Sequence, residues 1–275
     1  MIITDKLVYI HFPKSGGTFI TVFLKKLYQE ELNTAYNQKS YLSKIWSKKP
    51  YYIDYKINDA FNGILFNRDN HNGFSQIPKE HIEKQIFTTI RNPFEFYVSY
   101  YETKKWITND TLTDTNVLKL FPQFPNINFT EFLTFLDIYY FKKIVPQIIG
   151  IETPKEVGLY TALLIFLYCK NPKSVFTDIS ITKDVKETEQ IILKNISDKI
   201  QFVCFSDLRK NLYKFLAKYY DKKKLLFIFN AKSENVSKNR EHEDWFSYYS
   251  EDSLKNIEKK DAVSITFYNK LCGKK

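Results

Sequence analysis

Phe12-Pro13-Lys14-Ser15-Gly16-Gly17-Thr18 sets two of the chain's seven glycines side by side where an apolar run gives way to a helical pattern. Glycine allows the tight curvature that turns successive N–H groups into one cavity, and the first turn of a following helix adds partial positive charge, so this segment suits an oxyanion. Lys14 adds a point charge, and Ser15 and Thr18 add hydroxyl donors. The nucleoside triphosphatase order G-x-x-x-x-G-K-[ST] is absent, because here the lysine precedes the glycines. An ordinary tight strand-to-helix turn is the competing reading. A second cation stands at Arg91, followed by Asn92-Pro93 and, eight residues on, by Ser99. Arginine offers a planar fork to a phosphate, and Ser99 adds a hydroxyl two turns into the helix. Among the four histidines, His11 reads as a packing residue, and His81 and His242 as solvated groups. His71 lies in Asn67-Arg68-Asp69-Asn70-His71-Asn72-Gly73-Phe74, where Gly73 lets the backbone turn beside a ligand.

The elements that must position these residues follow from the apolar spacing. Leu7–Phe12 reads as a strand, and Phe19, Val22, Phe23, Lys26 and Leu27 recur at helical spacing after the glycine pair. Residues 59–67 and 85–90 read as two short buried strands. Asn92 caps the next helix, Pro93 suits its first turn, and Glu95 completes a capping box. Residues 126–199 are mainly helical, with segments near 129–143, 155–169 and 183–196 broken at Pro146, Pro154 and Pro172. Residues 200–205 and 225–229 read as strands, the first leading into a helix that ends near Tyr220. A polar loop over 230–244 precedes a terminal helix from about Ser250 to Leu271. Strands alternating with helices predict a layered α/β domain with a mostly parallel sheet.

With both elements in view, F-P-K-S-G-G-T-F resembles the 5′-phosphosulfate loop of sulfotransferases that use 3′-phosphoadenosine 5′-phosphosulfate (PAPS), notably the P-K-[ST]-G-G-T form of carbohydrate sulfotransferases. Arg91-Asn92-Pro93 with Ser99-Tyr100-Tyr101 is similar to the family's 3′-phosphate motif. Gln201–Leu208 is similar to a late strand and acidic-leucine segment, and Lys232–Lys238 resembles an N-x-S loop that closes over the cofactor. The resemblance implies a single sulfotransferase domain over 1–275. Its fold would be a three-layer α/β/α sandwich, like that of P-loop nucleotide hydrolases, with a helical insertion at about 105–199 that matches nothing specific. Implied roles are Lys14 on the 5′-phosphate and bridging oxygen, and backbone donors of Ser15, Gly16, Gly17, Thr18 and Phe19 at the sulfuryl end. Arg91 and Ser99 would take the 3′-phosphate, and Asn235, Ser237 and Lys238 the closing loop. Uronyl 2-O-sulfotransferase-like members carry a catalytic histidine in a G-H-x-x-[FY]-like segment in the interval of His71, although Asn70 replaces the glycine. His71 is thus the expected base for in-line sulfuryl transfer to a hydroxyl, most simply of a saccharide, with Glu30, Glu31 and Asp69 as fallback carboxylates and no metal implied.

Composition bounds the alternatives. A chain of 275 residues, 44% hydrophobic, can bury a large core without metal or disulfides. A net charge of 41 − 31 = +10 favours an anionic partner but does not choose one. Cys169, Cys204 and Cys272 are odd in number and form no C-x-x-C pair, which predicts unpaired thiols and a reducing compartment. The N-terminal segment lacks a basic and then apolar leader pattern, and the longest mostly apolar run, 158–169, is too short to span a bilayer. A cytoplasmic location is the corresponding expectation. Two rival functions remain: a nucleotide-dependent kinase, which lacks the Walker order, and a non-enzymatic binder of anionic glycan or nucleic acid. A recognisable nucleic-acid module is absent.

Overall fold

The computed structural model describes residues 1–37, 52–54, 71–152, 154–232 and 240–273. Five strands, β1 (Ile2–Thr4), β2 (Leu7–Ile10), β3 (Tyr52–Asp54), β4 (Gln85–Ile90) and β5 (Ile200–Cys204), form one sheet in the order β3-β1-β2-β4-β5. β2, β4 and β5 are mutually parallel, while β1 opposes both of its neighbours, so every described strand but β1 runs the same way. Successive strand side chains face opposite sides, and helices cover both. Ile3, Val8, Ile10 and Ile86 enter one apolar cluster, and Ile2, Leu7, Tyr9 and Phe87 enter the other.

The second of these faces is covered by α1 (Gly17–Asn37), through Ile20, Phe23, Leu24 and Leu27, and by a helix after β5 through Leu212, Phe215 and Leu216. The first face carries α2 (Pro93–Glu102), α3 (Phe129–Leu136), α4 (Leu159–Tyr168), α5 (Pro172–Ile181) and α6 (Val185–Asn195). The helix after β5 is α7 (Leu208–Leu216), and the described chain ends with α8 (Glu251–Lys260) and α9 (Ala262–Cys272), which pack on the α2 side. Every residue of α4 is buried, which explains why its sequence shows no polar stripe. The result is the expected three-layer α/β/α architecture. Parallel register places the carboxyl ends of β2, β4 and β5 side by side, with Ile10 opposite Thr88 and Ile90 opposite Cys204. In open α/β sheets ligands bind at such ends, and the Lys14 loop and Arg91 both leave from this edge.

Several expectations are corrected. Residues 225–229 are not a strand: Asp221 caps a helix at Lys222–Leu225 and a 3₁₀ turn follows at Leu226–Ile228. Leu225 and Ile228 are buried while Leu226 and Phe229 are exposed, a spacing of three that an all-apolar run conceals. Pro146 and Pro172 start helices instead of only ending them, and Pro172 does so behind an Asn171 cap. The terminal helix divides at Asp261, between α8 and α9. The anticipated strand at 59–67 lies outside the described residues.

The cysteine reading is also corrected. Cys204 ends β5 and Cys272 ends α9, and the two form a disulfide across a sequence separation of 68, with Cα atoms 5.8 Å apart. Their proximity comes from α9 packing on β5, where the Phe202 and Phe267 rings lie 5.1 Å apart, and no local spacing reveals it. The argument for a reducing compartment from unpaired thiols therefore falls. Cys169 is buried, and burial pushes its thiol up to about 12. Among the described residues no helix is long and apolar enough to cross a membrane.

Candidate active site

The loop after β2 owes its shape to two left-handed residues. Lys14 has φ +59° and Gly16 φ +82°, and alternation of this kind bends the backbone into an anion-binding concavity. A Cβ on Gly16 would also press on Leu208 and Phe205. Helical bonding starts where Ile20 N–H donates to Gly16 O at 3.1 Å. The N–H groups of Gly17, Thr18 and Phe19 thus precede the first intrahelical acceptor, and they stand at the positive end of α1. The Ser15 hydroxyl faces inward. It donates to Phe12 O at 2.8 Å and lies 2.8 Å from Thr89 Oγ1, whose own hydroxyl is then the donor between them. Ser15 therefore presents its backbone, and not its hydroxyl, to the concavity. The Phe19 side chain likewise belongs to the core.

α2 brings the second element to this loop. Asn92 accepts the Phe94 N–H at 2.9 Å and Pro93 opens the helix. Glu95, expected to close a capping box, turns back to Arg91 instead, with Nε donating to Oε2 at 3.2 Å. Arg91 Nη1 donates to Lys14 O at 3.0 Å, and its guanidinium lies 4.5 Å from the centre of the Phe205 ring. Tyr160 donates to Arg91 O at 2.7 Å, which fixes the backbone as well. Burial pulls the Arg91 guanidinium down, partly opposed by Glu95, yet an arginine keeps its charge in a protein. Lys14 Nζ donates to Thr103 Oγ1 at 2.9 Å. Glu95, Ser99 and Thr103 are spaced by four and share one stripe of α2. Lys14 therefore lies along that stripe, its carbonyl at Arg91 and its ammonium at Thr103, with half-buried Ser99 between them.

The histidines meet at the same edge. His71 is 5% exposed and its Nδ1 lies 2.9 Å from His11 O. A carbonyl oxygen only accepts, so Nδ1 carries the proton and the neutral ring keeps its lone pair on Nε2. The two imidazole centroids are 4.5 Å apart. A Cβ placed on Gly17 would overlap the His11 ring, so His11 rests on the first residue of α1 and carries His71 to the anion loop. Read from sequence as packing, His11 is indeed 7% exposed, but it touches both the base candidate and the loop. Its position just before the loop was the available signal. Thr103 also escaped the sequence reading.

The other candidate residues lie apart from this edge or outside the described residues. His81 closes the 3₁₀ turn Lys79–His81, and His242 meets Tyr248 edge to face, 4.8 Å between ring centres. Asn235, Ser237 and Lys238 lie outside the described residues, as do Asp69 and the side chains of Glu30 and Glu31. Among the described residues no group of three or more His, Cys, Asp or Glu is placed to hold a metal ion.

An α/β/α sandwich whose parallel strands end in a glycine-bent anion loop and a facing arginine defines a class of transferases and nucleotide-binding enzymes. Within that class the assignment is specific: a family model described as the sulfotransferase family matches residues 1–145 of the 275, and the chain belongs to that family. The match takes in the loop, His71, Arg91 and Ser99, and it ends in the helical region. No curated protein and no solved structure matched the chain.

Proposed function

We propose that this sulfotransferase moves the sulfuryl group of PAPS to a hydroxyl of a saccharide, with His71 as general base. PAPS, when bound, supplies the sulfuryl group and an anionic leaving group. The residues fit such a ligand: α1 offers N–H groups of its first turn, Lys14 a cation, and Arg91 a planar fork. Lys14 and the α1 terminus hold negative charge as it grows on the leaving oxygen, a stabilisation worth most in the transition state. Arg91 spends Nε on Glu95 and Nη1 on the Lys14 carbonyl. Its Nη2, which makes no hydrogen bond among the described residues, faces the 3′-phosphate in this reading, and Ser99 adds a hydroxyl. His71 Nε2 takes the proton of the attacking hydroxyl as the new S–O bond forms and the old one breaks. No metal has a role in this scheme. The closing loop is assigned to Asn235, Ser237 and Lys238, on the family likeness alone, and the whole chain is read as one domain with a helical insertion at about 105–199.

The observation that carries this reading is the junction of Lys14 with Arg91, 77 residues away and just before α2, and with Thr103 at the other end of that helix. Thermal unfolding with added ligands tests it first. PAP should raise Tm, 5′-AMP, which lacks the 3′-phosphate, should do so much less, and ATP with magnesium or an oligonucleotide should not. Stabilisation by ATP with magnesium but not by PAP would transfer the assignment to a kinase. Radiolabelled PAPS offered with neutral and anionic oligosaccharides, phenols and lipid alcohols then identifies the acceptor. Label entering only phenols would overturn the saccharide.

A further inference from the structure

His71 is seated on His11. Its Nδ1 is anchored at the His11 carbonyl, and its ring packs tilted against the His11 ring, 4.5 Å between centroids at an interplanar angle of 47°. The His11 ring in turn has a fixed seat. It occupies the volume that any side chain on Gly17 would fill, and it stacks with Tyr9 at 6.0 Å and 21°. Gly17 has no positive φ, so close approach, and not backbone conformation, is what requires glycine there. The order from sheet to site is therefore Tyr9, His11, His71, with α1 touching the middle ring.

We propose that His11 is a positioning residue for sulfuryl transfer: its imidazole is a spacer, wedged against Gly17, that sets the distance and tilt of His71 Nε2 over the first turn of α1. The assignment rests on His71 being the base. A ring displaced by about 1 Å from its productive position can lower turnover by about 10²-fold, while anion binding by the α1 backbone and Arg91 needs no imidazole. His11→Ala therefore lowers kcat by about 10–100-fold and leaves the Kd for PAP within about threefold. His11→Gln, with a similar reach, restores most of the loss.

The Gly17 contact supplies the decisive arm. Gly17→Ala drives the new methyl group into the His11 ring and should reproduce the fall in kcat. With His11→Ala already in place the ring that the methyl meets is gone, and Gly17→Ala should then cost markedly less than it does in the wild type, a departure from additivity. The experiment is this four-member cycle with kcat, PAP affinity and Tm measured on each folded variant, beside His71→Ala. Equal cost of Gly17→Ala in both backgrounds, normal turnover in His11→Ala, or a folded His11→Gln as poor as His11→Ala would overturn the spacer. The base reading fails separately, by full activity of His71→Ala. His71→Ala inactive with His11→Ala active sinks the spacer alone.

Discussion

Lys14 pays no added conformational cost for being replaced by alanine, because both residues are strained alike at φ +59°. Lys14→Ala therefore removes the charge and leaves the turn, so a fall of about 10²–10³-fold in kcat, of the size seen for a lost transition-state donor, is expected with Tm nearly unchanged. Less than tenfold would put the leaving-group charge elsewhere. His71 carries a separate prediction. Its lone pair on Nε2 exists only in the neutral ring, so kcat should fall as pH drops through the imidazole pKa, and His71→Ala should lower kcat by about 10²–10⁴-fold and abolish that acidic limb. PAP affinity measured by calorimetry should stay close to wild type, because the proposed function gives anion binding to Lys14, Arg91 and the α1 terminus. A retained limb in the variant would move the base to Glu30, Glu31 or Asp69.

Among elements, α2 matters most, since it runs from just after Arg91, past Ser99, to Thr103 at its C-cap, and a buried carboxylate ties it down. Asp261, fully buried where α8 and α9 divide, accepts from Tyr97 at 2.6 Å, from Thr161 N at 2.8 Å and from Thr161 Oγ1 at 2.7 Å. It thereby joins α2, α4 and α9, and a Cβ on Gly158 would collide with it. Desolvation lifts the Asp261 carboxyl from 3.8 to about 6, against the pull of its three donors. The folded state then holds this proton more tightly than the unfolded chain, so the group's contribution falls as pH rises from about 4 to about 6, by roughly 2–3 kcal/mol. Below that window the contribution is complete. Asp261→Asn has no such proton to lose. Urea unfolding at a series of pH values should therefore show a flatter profile between 4 and 6 in the variant, although lower stability overall, because Tyr97 loses its acceptor. The same slope in both proteins would assign the pH dependence to other groups.

At the scale of the molecule, the Cys204–Cys272 bond fastens the last described helix to the edge strand whose next residue, Phe205, stacks on Arg91. Closing a loop of this length restricts the unfolded chain, worth about 2–5 kcal/mol. For a chain of this size each kcal/mol moves Tm by roughly 2–4 °C. Cys272→Ser should accordingly lower Tm by several degrees. Wild-type protein reduced with dithiothreitol should match it, and the variant itself should not respond to reductant. A wild-type Tm indifferent to dithiothreitol would show that the bond contributes nothing to stability.

Local sequence determined the parts of this protein that depend on near neighbours. Short β-rich apolar runs in Leu7–Phe12 and Gln85–Ile90 specify strands, Asn92-Pro93 specifies a helix start, and the glycine pair behind Lys14 specifies a tight strand-to-helix turn, because each is fixed by sterics and hydrogen bonds within a few residues. Tertiary structure decided what depends on how the layers dock. It turned the Ser15 hydroxyl toward Thr89, laid Lys14 between Arg91 and Thr103, seated His71 on His11 across 60 residues and paired Cys204 with Cys272. Docking also settled the residues 225–229, whose uninterrupted apolar character fits strand or helix until one side is buried. Contacts between distant segments follow from shape and packing of whole faces, and a linear pattern records only which residues are available to make them.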